Sequence, residues 1–175
     1  MRRLTERDSL RRFMQALGDA AAAETRVYFT GGACAVLLGW RATTIDVDLQ
    51  LVPDRDDVLR AIAVLKDRLQ INVELAAPSH FIPELPGWET RSVFIAREGR
   101  IDFYHYDFYA QTLAKIERDH AQDRLDVTAM LDHGLVERTQ LRELFEAIAD
   151  QLYRYPAIDP SAFRRAVEAR LSLYG

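Results

Sequence analysis

Cys34 is the single cysteine among 175 residues. One thiol excludes an internal disulfide and any zinc site built on several cysteines, and it fits the reducing chemistry of a cytosol. Glycine and proline are sparse, at 8 and 6 residues, too few for a low-complexity or disordered chain. Neither sign of charge dominates, because 23 Lys plus Arg stand against 27 Asp plus Glu for a formal charge of -4. Nothing therefore pulls the whole chain toward a polyanion, and a nucleic-acid partner would need a local basic patch. No apolar run nears the ~20 residues that span a bilayer, and the opening MRRLTERDSLRR lacks the apolar core of a signal peptide. The expectation is a soluble cytoplasmic protein with no membrane partner. What the chain does have is 49% hydrophobic residues, enough for a buried core in a unit of one-domain length.

Hydrophobic periodicity gives the order of elements. Leu10, Phe13, Met14, Leu17 and Ala21 recur at helical spacing, and Thr5 with Asp8 reads as a capping-box pair opening that first helix. RVYFT is a strand that ends at Gly31-Gly32, and ACAVLLG is a helix stopped by Gly39. TTIDVDLQLV then alternates Ile45, Val47, Leu49 and Leu51 with Thr44, Asp46, Asp48 and Gln50, a strand with carboxylates on one face. Pro53 ends it, and Asp54 or Asp56 opens a helix with Val58, Ile62, Leu65 and Leu69 on its apolar side. INVELA reads as another strand. PSHFIPELPGW carries three of the six prolines and reads as an ordered loop. SVFIA and RIDFYHY flank the turn REGR as a hairpin. Helical patterns follow over Phe108 to about Arg118, Asp123 to Leu131, Thr139 to Tyr153, and Pro160 to Leu173, the last capped by Asp159. The fold class expected is α+β, an α/β sandwich with a mixed sheet at about residues 26 to 106 and a helical part from about 107 to 175, within one domain over 1–175.

The chemistry-bearing stretch is TGGACAVLLGWRATTIDVDL. A glycine pair between strand and helix lets a ligand approach the backbone closely. Asp46 and Asp48, one residue apart on a strand, point the same way and offer oxygen ligands to a hard divalent cation such as magnesium. Either feature alone also fits a protein that binds nothing there; their closeness in sequence is what points to a site. Lys115, inside the apolar helix LAKI, needs an anion or a route to solvent. Asp123 and Asp126, one helical turn apart, can pair with a neighbouring cation or cap a helix. Arg41 can contact a phosphate or cap the carbonyls of the preceding helix.

Together, Gly31-Gly32, Arg41 with Thr43-Thr44, and Ile45-Asp46-Val47-Asp48-Leu49 resemble the glycine pair and Asp-x-Asp signature of the nucleotidyltransferase superfamily related to DNA polymerase beta. The nearest likeness is to its minimal, AbiEii-type toxin and domain-of-unknown-function branches. KIERDHAQDRLDVTAML, with Lys115, Asp123 and Asp126, is similar to the Lys…Asp-x-x-Asp helical segment of those branches. The resemblance implies a magnesium-dependent nucleotidyltransferase that moves a nucleoside monophosphate from a nucleoside triphosphate to a hydroxyl on RNA, tRNA included, or on protein. It also implies a toxin held in check by a cognate antitoxin. In this reading Asp46 and Asp48 hold the metal, while Gly31, Gly32, Arg41, Thr44, Lys115, Asp123 and Asp126 serve the nucleotide. The superfamily's third carboxylate, a metal ligand and catalytic group beside Asp46 and Asp48, falls on Glu74 or Asp102, and Glu74 ranks first as the acid of the strand that follows the next helix. The rival from another class is a non-catalytic module that binds a nucleotide or a protein on a degenerate form of the same fold.

Overall fold

Apolar residues at helical spacing and alternating strand residues meet on one side of a mixed sheet in the computed structural model, which describes residues 3–173. The chain divides into two compact units: one runs to Ala77 and resumes over Ser92–Tyr106, and the other takes Pro78–Arg91 and everything from Asp107.

In the first unit the order is β1 (Thr5–Glu6), α1 (Arg7–Ala20), β2 (Thr25–Thr30), α2 (Gly32–Leu38), β3 (Thr43–Thr44), β4 (Asp46–Val52), α3 (Asp56–Leu69) and β5 (Asn72–Leu75). The hairpin β6 (Val93–Glu98) and β7 (Ile101–His105) completes it. Five strands form one sheet in the order β5-β4-β2-β7-β6, and β1 and β3 form a separate pair. The sheet is mixed, since β4 runs antiparallel to β2 and parallel to β5, while β7 runs parallel to β2 and antiparallel to β6. This is the α+β arrangement the sequence pattern implies.

The period of two along β4 separates its faces. Val47, Leu49 and Leu51 are buried in a core shared with Leu10, Phe13 and Leu17 of α1 and Val58, Ile62 and Leu65 of α3. Each such large apolar side chain, once fully buried, stabilises by about 1.5 to 3 kcal/mol relative to exposure. Asp46, Asp48 and Gln50 take the opposite face and are only partly buried. The core thus fixes which way the acids point.

Two local expectations fail in this unit. Thr5 and Asp8 form no capping box: the N-cap of α1 is Glu6, without a side-chain cap bond. Thr5 instead sits in β1 opposite Thr44, so a tertiary pairing outcompetes the local motif. Ile45 does not extend the apolar row of β4 either. The strand starts at Asp46, and Ile45 is 50% exposed.

The second unit is helical, with α4 (Trp88–Arg91), α5 (Phe108–Arg118), α6 (Ala121–Asp132), α7 (Arg138–Ala149) and α8 (Pro160–Ser172). The proline-rich stretch is not all loop, since a 3-10 turn forms at Pro78–His80 and α4 starts at Trp88. The helix expected from Thr139 to Tyr153 stops at Ala149, and a separate 3-10 turn covers Leu152–Arg154. Asp159 caps α8 as its position before Pro160 implies, accepting from the amides of Ser161 and Ala162 at 3.0 and 3.1 Å. Phe145 of α7 meets Phe163 of α8 edge-on at 5.0 Å. Among the described residues no helix is long and apolar enough to cross a membrane.

Candidate active site

The acids and the glycine pair lie at one end of the sheet. Thr30, the last residue of β2, is the cross-strand partner of Asp48, and Gly31 follows directly. Gly31 holds φ +61°, ψ -130°, a conformation that favours glycine over any L side chain. A Cβ placed on it would lie 3.4 Å from Asp48 Oδ2, so the carboxylate reaches the turn. Gly32 is glycine for a different reason. A Cβ there would stand 2.0 Å from Thr44 Oγ1 and 3.1 Å from Arg41 Nη1. The hydroxyl of Thr44 and the guanidinium of Arg41 therefore close over Gly32.

The segment that carries Arg41 and Thr44 is tied down on both sides. Thr44 Oγ1 donates to the carbonyl of Asp46 at 2.9 Å, and β1 pairs with Thr43 and Thr44. Carbonyl capping at the end of α2, one reading of Arg41, is supplied in part by Arg7, whose Nη2 donates to the Val36 carbonyl at 3.4 Å. Cys34 is buried in α2, and its thiol donates to the Phe29 carbonyl at 3.1 Å, a core role.

Register decides what parity in the sequence leaves open. β4 and β5 are parallel, with Asp46 opposite Asn72 and Asp48 opposite Glu74. Cross-strand partners share a face, so Glu74 stands with both aspartates. Asp102 is opposite Arg26, four residues along β2 from Thr30, or ~13 Å at the rise of a strand. It bonds Arg97 at 3.1 and 3.2 Å, and Arg97 also reaches Glu24. Arg100 turns away from it to donate to the Ala22 carbonyl at 2.6 Å.

Asn72 is a residue the sequence reading passes over. Its Nδ2 donates to Asp46 Oδ1 at 2.5 Å and to Glu74 Oε1 at 3.1 Å. The available signal was its place two residues before Glu74, which on a strand means the same face.

The donor set is oxygen-rich and suits a hard cation. Among the described residues no three His, Cys, Asp or Glu side chains stand close enough together to hold a metal ion. Magnesium does not need three, because it is commonly held by one or two carboxylates with waters and substrate phosphates. Asp46 and Asp48 fit that pattern.

Lys115, Asp123 and Asp126 form their own cluster in the second unit. Lys115 is 8% exposed, and its Nζ donates to Asp123 Oδ1 at 3.3 Å and to Asp126 Oδ2 at 2.9 Å. The anion it meets is thus a pair of carboxylates, and it does not snorkel to solvent. Asp123 also accepts from Arg118 and from the His120 amide at the start of α6, combining the ion-pair and capping roles. Burial pushes its carboxyl up, but the Arg118 hydrogen bonds and the charges of Lys115 and Arg118 outweigh this and bring it down to about 2.

One family model matches residues 8–167 and is described as a nucleotidyltransferase of unknown function (DUF6036). No curated protein and no solved structure matches the chain.

Proposed function

The chain belongs to this family of nucleotidyltransferases, and from that premise we propose that it is a magnesium-dependent enzyme moving a nucleoside monophosphate from a nucleoside triphosphate to a hydroxyl on RNA or protein. The observation that carries the reading is that Asp46, Asp48 and Glu74 stand on one sheet face, at the end where Gly31 makes its turn.

Asp46 and Asp48 would hold the metal, which when bound polarises the phosphate under attack. The chain's own residues do the rest. Arg41, over Gly32, supplies positive charge beside the glycine turn for the triphosphate. Thr44 fixes the Asp46 backbone through its hydroxyl. Glu74, exposed on β5, is the base for the acceptor hydroxyl and takes its proton. Lys115, Asp123 and Asp126 are outside this set, because their charges answer one another.

Labelled triphosphates incubated with total RNA and with cell lysate test the assignment, comparing the wild type with Asp46→Ala and Asp48→Ala. Label should pass to one class of acceptor and be lost in both variants. Equal transfer by all three proteins would overturn it. Likeness to the AbiEii-type branch adds a toxin role relieved by an antitoxin. Expression of the chain alone should then arrest growth, and co-expression of the neighbouring gene should restore it.

The absence of three converging metal ligands among the described residues favours one second reading, a module that binds nucleotide without chemistry. Triphosphate binding insensitive to magnesium and to Asp48→Asn, with no transfer product, would select it.

A further inference from the structure

Asn72 stands where two like charges from neighbouring strands must be reconciled. It lies opposite Asp46 in the β4–β5 register and two residues before Glu74, and its single amide group spans both carboxylates at 2.5 and 3.1 Å. The orientation follows from the partners: an NH2 has two hydrogens to give, whereas its carbonyl oxygen would face two acceptors and satisfy neither. The NH2 occupies the space between Asp46 and Glu74. It holds them in place as a neutral donor, and it offers no lone pair to a cation.

The same side chain carries the opposite capacity. The last torsion of asparagine is broad and nearly two-fold, so a half-turn exchanges Nδ2 for Oδ1 with little movement of anything else. A carbonyl oxygen of this kind is an accepted ligand for hard divalent cations. We infer that Asn72 is a metal-responsive positioning residue: its NH2 pins Asp46 and Glu74 while the site lacks a cation, and its amide turns on metal binding to release both carboxylates and present Oδ1 beside them. The inference rests on the metal-dependent reading above and adds to it a fourth side chain and a conformational step.

The test reads binding directly. Mn2+ is titrated by electron paramagnetic resonance, with a non-hydrolysable triphosphate analogue present, into the wild type, Asn72→Ala, Asn72→Asp and Asp48→Ala. Loss of the oxygen should weaken Mn2+ binding about tenfold in Asn72→Ala, the low end for residues that support a metal site. Asn72→Asp should bind Mn2+ at least about tenfold more tightly, because a carboxylate replaces a carbonyl, and should melt below the wild type without metal but not with it. In the wild-type protein the Asn72 side-chain NH2 signals, assigned by their loss in Asn72→Ala, should move on addition of Mg2+. Mn2+ binding lost in Asp48→Ala but unchanged in both Asn72 variants, or NH2 signals that stay still under Mg2+, would overturn the inference and leave the metal-dependent reading intact. A wild type that binds no Mn2+ would overturn both.

Discussion

Asp48 of β4 and Glu74 of β5 are cross-strand partners in a parallel pair, so their carboxylates leave the sheet on the same face. Asp102 shares neither that level of the sheet nor that company, being engaged by Arg97. If Glu74 is the base nearest the acceptor hydroxyl, Glu74→Gln should lower single-turnover rates by at least about a hundredfold, the lower bound for a positioned acid or base. Triphosphate binding through the glycine turn should survive. Asp102→Asn should cost much less, since it breaks only an exposed ion pair. Rates in the reverse order would transfer the role to Asp102.

Metal and nucleotide should bind together. Where no three acids stand close enough together to hold a metal ion among the described residues, Asp46 and Asp48 make a weak magnesium site, and triphosphate oxygens would complete it. In thermal melts, Mg2+ alone and a triphosphate analogue with chelator should each shift Tm little, and the two together by more than the sum of the separate shifts. An equal shift from Mg2+ with and without nucleotide would show a metal site that needs no substrate.

Gly32→Ala should damage the site through its roof. The new Cβ would meet Thr44 Oγ1 at 2.0 Å and Thr44 Cβ at 2.8 Å, so Thr44 and Arg41 must move. Overpacking of this kind costs about 1 to 3 kcal/mol, and denaturant unfolding should show it along with weaker triphosphate binding. Adding Thr44→Ala removes the shorter contact and should recover part of the loss. Wild-type stability in Gly32→Ala would mean that the loop over Gly32 yields without cost.

The elements legible in the sequence are those where a local period coincides with a tertiary need. Val47, Leu49 and Leu51 alternate and face the core, and the helical row of Leu10, Phe13 and Leu17 lands in the same core. The positions of Asp46 and Asp48 on one face follow from the same alternation. Residues that depend on cross-strand register were not legible. Nothing near Glu74 in the chain says that it will stand opposite Asp48, and the Asn72–Asp46 contact joins residues 26 positions apart. Thr5 misleads for the same reason, because its partner is Thr44. Helix α6 hides half of its inner face, since it buries Asp123 and Asp126 alongside Val127 and Met130 and leaves Leu125 64% exposed.

The buried acids of α6 give a pH dependence with a definite sign. Asp123 is held at about 2, against an ordinary value of 3.8, so the folded state favours its ionised form more than the unfolded state does. The stability this contributes is complete above about pH 4 and is lost as pH falls from 3.8 through about 2. Asp123→Asn should flatten the acid limb of the unfolding curve over that window while lowering stability at pH 7. Removing the cation instead leaves carboxylates buried without their main partner, and breaking a buried pair in this way costs about 3 to 5 kcal/mol. For Lys115→Met the lower end is expected, because Asp123 keeps Arg118 and Asp126 keeps Gln122. Denaturant unfolding of Lys115→Met at pH 7 should therefore show a loss of about 3 kcal/mol. The double variant Lys115→Met/Asp126→Asn should be less destabilised than the two single losses added together, since the second change removes the charge the first had stranded. Strict additivity would mean that Lys115 and Asp126 do not interact, against the 2.9 Å contact between them.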